Sequence, residues 1–530
     1  MGMYLNPGNS GFEEIRNSRY VDKSGMISLV NRVIGTKQKL ICISRPRRFG
    51  KSFAAQMLCA YYDKTCDSRA LFHDLMIAED PKMNASYEQH LNKYDVIYLD
   101  MTYIKPFTDG FRNTVSYLSE KIMEELAEAY PALKTSNELP STMLRTVELT
   151  GHKFIMIIDE WDAPIRETPE IRNEYLEFLR TLFKGSGSTS RIFAAAYMTG
   201  ILPIKKDGSQ SAISDFQEYS MVFPGEFARY VGFTESEIGQ LCQEYDCNFS
   251  EMKHWYDGYT LNGAGSVYNP NSVMKAVYNR RFHSYWTETS AAESLMGYIG
   301  LNFDGLSKTI ARLLGGVEVG VDTNGFSNDL ITFRNRDDVL TLLIHLGYLS
   351  YNEETQTARI PNEEIRLEFF RAVREVRHDE TIRRVRESTQ LIYDTIHGNS
   401  EAVAAQIEKI HAEETAPLFY NNEQSLRSVI KLAYFSYKDY YLKFEELPSG
   451  DGYADIVYFP KKTAFVPALV IELKWNQSAE GAVSQIKKKR YPDALLGYGG
   501  DMILVGIAYG KAENGSGRTH TCKIERVRLE

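Results

Sequence analysis

Near its start the chain carries an apolar strand, a basic turn with one glycine and an apolar helix, with no break between them. KLICIS (39–44) reads as a buried strand, RPRRFGKS (45–52) as the turn, and FAAQMLCAYY as the helix that follows. Strand, GKS and helix in that order form the context of a phosphate-binding P-loop. In such a loop Lys51 reaches the β- and γ-phosphates, and Ser52 ligates Mg2+. Backbone N–H groups of Arg47, Arg48, Phe49 and Gly50 and of the helix N-terminus hold phosphate oxygens. The motif departs from G-x-x-x-x-G-K-[ST] at its first glycine, where Arg45 stands, and Pro46 removes one backbone donor. Arg47 or Arg48 can help to neutralise phosphate charge.

A second apolar strand supplies the acids such a loop needs. FIMIID (154–159) delivers Asp159 at its end, and open α/β sheets bind ligands at that carboxyl edge. Asp159 can hold Mg2+ through water, and Glu160 can polarise an attacking water. VIYLD (96–100) lies before this strand in the chain, and RIFAAAYMTG (191–200) after it, with polar Thr199 near its end. Strands alternating with helices imply a parallel, helix-covered sheet, closing near residue 235. The order resembles the additional-strand P-loop ATPases, and the resemblance makes Thr199 a sensor of the γ-phosphate or the attacking water. The plainer alternative is a GKS turn and an acidic strand end met by chance. For Asp162 the plainer reading is a helix N-cap.

Longer strings are more specific than GKS alone. YVDKSGMISLV (20–30), RPRRFGKS, DEWDAP (159–164), TGILPIKK (199–206), GFTESEI (232–238), WYDGY (255–259) and YNPNSV (268–273) resemble the bacterial AAA-ATPase-like family, over about residues 5–290. Arginine at the first Walker position is ordinary in that family. The resemblance implies a nucleoside-triphosphatase domain over 1–235 using ATP and Mg2+, followed over 236–415 by helical and winged-helix elements. It supplies no substrate. No arginine finger stands out; the helical region or a neighbouring subunit of a homo-oligomer could provide one.

Within 236–415, helix VLTLLIHLGY (339–348), strand LSYN, acidic turn EETQ, strand ARIPN and helix EEIRLEFFRAV fit the wing part of a winged-helix module. HWYDGY (254–259) reads as helix-packing aromatics before it reads as a base-stacking platform. His254 has no His or Cys partner at metal-ligand spacing.

Residues 416–530 read as a compact α/β unit with a mixed sheet. Asp455 lies in strand YADIVYF, and Glu472 and Lys474 lie in ALVIELKW. Residues two apart on a strand share a face, so Glu472 and Lys474 project together. Paired carboxylates can bind Mg2+, and a nearby lysine can orient water or stabilise a pentavalent phosphate. The D-x16-E-x-K spacing resembles the PD-(D/E)XK nuclease superfamily, which implies a restriction-endonuclease-like fold. That resemblance also matches Glu423 to a helix acid assisting metal or structure, and Gln485 and Tyr491 to the following helix. Ala454 stands where the superfamily's proline precedes the aspartate, and Q-x5-Y replaces Q-x3-Y. Glu472 and Lys474 can equally be an edge-strand ion pair. KKKR (487–490) can be a solvated helix face or a phosphate contact.

Charge fits a local rather than a global nucleic-acid surface. Lys and Arg number 61 against 70 Asp and Glu, net −9, a poor match to a wholly basic coat protein. Residues 421–530 hold 16 basic and 13 acidic side chains, so the basic excess is C-terminal and modest. Six cysteines without a C-x-x-C pair fit a reducing cytoplasm, and no signal peptide or apolar run of membrane-spanning length is visible. The leading expectation is an ATPase coupled to a Mg2+-dependent nuclease, with DNA favoured over RNA as partner. The alternatives are a signalling or scaffolding switch with a binding or vestigial nuclease-like module, and a protein that binds nucleotide without turnover.

Overall fold

The computed structural model describes residues 2–184, 188–204, 213, 215–286, 305–326, 333, 335–375, 379–414, 422–435, 437, 441–449, 452–461, 466–489, 501–511 and 518–528. They fall into two compact units, 1–291 with 320–367, and 292–319 with 368–530.

The first unit is built on a five-stranded parallel sheet. Its strands are β1 (Leu40–Ser44), β2 (Asp95–Asp100), β3 (Phe154–Asp159), β4 (Phe193–Gly200) and β5 (Gln217–Tyr219), in the order β2-β3-β4-β1-β5. Every residue of β1, β3 and β4 is buried. That is why these three read as unbroken apolar runs: a parallel strand covered on both faces has no polar side. Met156 and Ile158 share a core cluster with Leu118, Ile122, Met143 and Phe178 from the helices beside the sheet. Helix α1 (Lys51–Tyr62) lies against β2, β3 and β4.

The chain then forms α2 (Glu235–Tyr245), started by a capping box in which Thr234 and Glu237 satisfy each other's backbone N–H. It continues with a small antiparallel sheet in the order β6-β8-β7, from β6 (Phe233–Thr234), β7 (Tyr259–Leu261) and β8 (Gly265–Tyr268). Tyr256 and Tyr268 are buried in one cluster with Phe233 and Ile238, and Trp255 packs against it, so the aromatic run serves packing. Helices Pro270–Asn279 and Leu306–Leu314 follow, and then a short strand, β9 (Val319–Gly320). After it α3 (Arg336–Leu346), hairpin β10 (Ser350–Asn352) and β11 (Thr357–Arg359), and α4 (Glu363–Glu375) follow in order.

The second unit holds a mixed sheet in sequential order, β12 (Tyr441–Ser449), β13 (Gly452–Pro460), β14 (Ala468–Trp475), β15 (Asp501–Lys511) and β16 (Arg518–Arg528). Only β14 and β15 pair parallel. Helices α5 (Asp379–Ile396), α6 (Ser400–Glu414) and α7 (Glu423–Ala433) bury Leu391, Ile407 and Ile430 against one face, with Ile471 and Val505. Helix α8 (Ala479–Lys488) buries Val483 and Ile486 against the other, with Val470 and Leu504. Gly506 admits that helix: a Cβ there would stand 2.2 Å from the Ala479 carbonyl oxygen. All six cysteines are free. Among the described residues no helix is long and apolar enough to cross a membrane.

Candidate functional site

Sheet register gathers the first unit's polar residues at one edge. Asp159 pairs with Thr199 on β4 and with Asp100 on β2, while Thr199 pairs with Ile43 one residue before the end of β1. The loop after β1 therefore arrives beside Asp159. Gly50 has φ +90°, a left-handed conformation that glycine takes without steric cost, and it starts α1. Lys51 and Ser52 are the first residues of that helix.

Four side chains meet there. The Ser52 side chain stands close enough to Asp159 to favour its ionised carboxylate. Lys51 Nζ lies 3.1 Å from Glu160 Oε1 and donates to the Pro46 carbonyl at 3.1 Å. Glu160 has φ +53°, a costly backbone for a non-glycine residue, and this turns it out of the strand towards Lys51. Burial pushes the Asp159 carboxyl up to about 7, with the Glu160 charge adding to it against the effect of Ser52. Burial also acts on Glu160, but Lys51 and Arg166 outweigh it and hold that carboxyl below the usual range. The Thr199 hydroxyl is fully buried and has no hydrogen-bond partner among the described residues.

Arg166 was not legible as part of this group. Its Nη2 donates to Glu160 Oε2 at 3.0 Å and its Nε to Asp162 Oδ2 at 2.8 Å. Asp162 occupies the N-cap position of the short helix Ala163–Glu167 but makes no side-chain cap. Its carboxylate accepts instead from the backbone N–H groups of Ile201 and Leu202, which the end of β4 brings within 3.0–3.3 Å. The i, i+4 spacing of Asp162 and Arg166 was the available signal.

The loop arginines divide. Arg45 is fully buried; its Nη1 donates to the Ser44 and Tyr219 carbonyls at 2.9 and 3.1 Å. Arg47 is exposed and its charge acts on Glu160. Arg48 donates to the Tyr285 carbonyl at 3.3 Å. Phe49 is buried edge-on against Tyr259, ring centroids 5.3 Å apart, and anchors the loop by its side chain. Pro46 packs on Gly347, where a Cβ would stand 2.8 Å from the Pro46 ring. A cavity of about 480 Å³ opens over the loop, lined among others by Tyr20, Gly50, Lys51, Ser52, Glu160 and Phe233. Its size and its lining by Lys51, Ser52 and Glu160 fit a nucleoside triphosphate with a divalent cation.

In the second unit Asp455, Glu472, Lys474 and Gln485 converge. Glu472 is 3 % exposed; its Oε1 accepts from Lys474 Nζ at 3.1 Å and from Gln485 Nε2. Its Oε2 is buried with no hydrogen-bond partner among the described residues. Burial, then the Asp455 charge, pushes the Glu472 carboxyl up to about 7. Asp455 Oδ2 accepts from the Leu473 N–H at 2.8 Å, and Oδ1 from Arg427 Nη2 at 2.7 Å. Glu423 is exposed at the start of α7, and its charge acts on Arg427 one turn later. The only sequence signal for Arg427 is its i, i+4 spacing from Glu423. Tyr491 and Arg490 lie outside the described residues.

Residues 7–209 match a family described as Predicted AAA-ATPase. Among curated proteins none matches. Among solved structures the chain is similar to the Walker-type ATPase PABY2304 of Pyrococcus abyssi, at 13% identity and a TM-score of 0.32, covering 66% of this chain and 94% of that one. It is also similar to the Aeropyrum pernix ORC1 protein in complex with DNA, at 11% identity and a TM-score of 0.27, covering 73% of this chain and 100% of that one.

Proposed function

We propose that the chain is an ATPase of the additional-strand P-loop class, coupled to a Mg2+-dependent nucleic-acid phosphodiesterase with DNA as the favoured substrate. The divisions are 1–235 for the ATPase, 236–415 for a helical and winged-helix relay, and 416–530 for the nuclease-like domain. The observation that carries the ATPase half is the Lys51–Glu160 ion pair at 3.1 Å, formed where α1 starts beside Asp159 and Thr199 at the sheet edge. Position of β4 between β1 and β3 supports the additional-strand class.

When bound, ATP would supply the phosphoanhydride and Mg2+ the positive charge that offsets charge developing on it. Lys51 would neutralise the outer phosphates, while Ser52 would ligate the cation and Asp159 would hold it through water. Arg47, Arg48, Phe49 and Gly50 shape the cradle. Glu160, held ionised by two cations, is a weak proton acceptor, so its part is to orient the attacking water. Thr199 offers its hydroxyl to that water or to the γ-phosphate. Contacts of Pro46 with Gly347 and of Phe49 with Tyr259 support a relay from the loop into the middle region. Lys51→Ala should abolish phosphate release; turnover equal to the wild type would refute the assignment.

For the nuclease half, Asp455 and Glu472 are the cation's ligands, with Glu423 assisting. Lys474 and Gln485 orient Glu472 and the attacking water. The Glu472 oxygen without a partner supports this reading. The ion pair of Asp455 with Arg427 favours the second reading, a nucleotide-gated switch with a binding or vestigial module. Mg2+-dependent nicking that is lost in Glu472→Ala selects the first. ATP turnover without cleavage of any DNA or RNA selects the second.

A further inference from the structure

We propose that Glu408, His411 and His520 form a binding site for a divalent transition-metal ion of the zinc class, tying α6 to the edge strand β16. Ligand-capable atoms of the three residues lie within 4.8 Å of one another. Glu408 and His411 are three residues apart on α6, so they share a helix face. His520 lies on β16, 109 residues further along the chain, and only the packing of α6 on β16 joins it to them.

The sheet keeps this cluster apart from the carboxylate site. Trp475, Tyr509 and His520 are register partners across β14, β15 and β16, and therefore stand in a row on one face. Lys474, the neighbour of Trp475, points to the opposite face with Glu472. α6 covers the first face and α8 the second.

Two imidazoles and one carboxylate are a three-ligand set that zinc accepts while keeping a fourth position for water. Nitrogen donors favour such an ion over Mg2+. Both imidazoles are buried, and imidazole ligates in its neutral form. Nδ1 of His520 lies 2.6 Å from Glu408 Oε2, and the His520 N–H donates to the same oxygen at 2.8 Å. The Tyr509 ring walls the cluster, edge-on to His411 at 5.3 Å and beside His520 at 4.6 Å, which fixes both imidazole planes. The Glu408 side chain is 40% exposed, giving an ion a route from solvent.

The test uses the full chain, stripped with a chelator and titrated with Co2+ in excess Mg2+, which competes for oxygen-only sites. The expected result is one Co2+ per chain, with visible absorption bands of nitrogen ligation, displaced by an equivalent of Zn2+. His411→Gln and Glu408→Gln should each weaken binding by more than about tenfold, while Asp159→Asn and Asp455→Asn leave it unchanged. Circular-dichroism melts establish that each variant is folded. Should His411→Gln fail to fold, the half-exposed Glu408→Gln decides alone. No Co2+ retained by the wild type, or Co2+ binding that survives both substitutions, overturns the proposal and leaves a hydrogen-bonded His–Glu pair.

Discussion

Arg427 and Asp455 form an ion pair at 2.7 Å, with both side chains only 14% exposed. The other Asp455 oxygen already accepts the Leu473 N–H, so both oxygens are engaged. Any divalent cation at Asp455 competes with that guanidinium. Arg427→Ala should therefore lower the Mg2+ concentration for half-maximal nicking several-fold. It should also destabilise the fold by about 1–3 kcal/mol, between the values for exposed and buried pairs. Mg2+ titrations of nicking and thermal melts check the two effects. A variant that needs more Mg2+ than the wild type would show that the arginine assists the site.

In the proposed ATPase, Glu160 orients water rather than binding nucleotide. Glu160→Gln should keep ATP binding within a few-fold, and slow phosphate release by about 10²–10⁴-fold, the range for a positioned acid–base group. Equilibrium binding and single-turnover hydrolysis separate the two. Loss of binding with hydrolysis per bound ATP unchanged would assign the residue to the nucleotide pocket instead.

How much of this was legible follows from burial and periodicity. Strands β1, β3 and β4 are buried on both faces and announce themselves as apolar runs. Strand β5 is three residues, Gln-Glu-Tyr, at the sheet edge, and carries no apolar signal. Strand β16 alternates charge with small or apolar residues, so its inward Cys522 and Ile524 are diluted by Lys523 and Glu525. Lys51, Ser52, Asp159 and Glu160 stood out because their spacing is local to strand ends. Arg427 acts through Asp455, which tertiary structure brings to it, and Arg166 through Glu160, whose turn out of the strand the sequence does not show. Helix spacing alone names a candidate pair, but not which pair forms.

Arg45 stands where other P-loops have glycine, yet it faces inward. Burial lowers its guanidinium to about 10, and Nε and Nη2 have no hydrogen-bond partner among the described residues. Restoring the common motif should thus harm the fold. Arg45→Gly empties a filled site and should cost about 3–5 kcal/mol, as other large-to-small core changes do. Arg45→Met keeps volume, removes a buried charge and should cost far less. Both should bind ATP within a few-fold of the wild type once folded. A tenfold gain in ATP affinity for Arg45→Gly would show that the arginine obstructs the phosphate site.

Asp159 makes the sign of a pH effect testable. Its carboxyl is pushed up to about 7 in the folded protein, against 3.8 for the ordinary group. Between those values the folded chain holds a proton that the unfolded chain has released. Stability contributed by this residue is therefore full below about pH 4 and declines as pH rises towards 7. Asp159→Asn removes the ionisation and should be more stable than the wild type near pH 8, with the gap closing towards pH 4. The same variant should lose Mg2+-dependent ATP hydrolysis, since the neutral amide removes the carboxylate charge by which such sites hold Mg2+. Urea unfolding of both proteins across this range measures the gap. A gap that stays constant with pH would mean that Asp159 titrates as an ordinary, solvated acid.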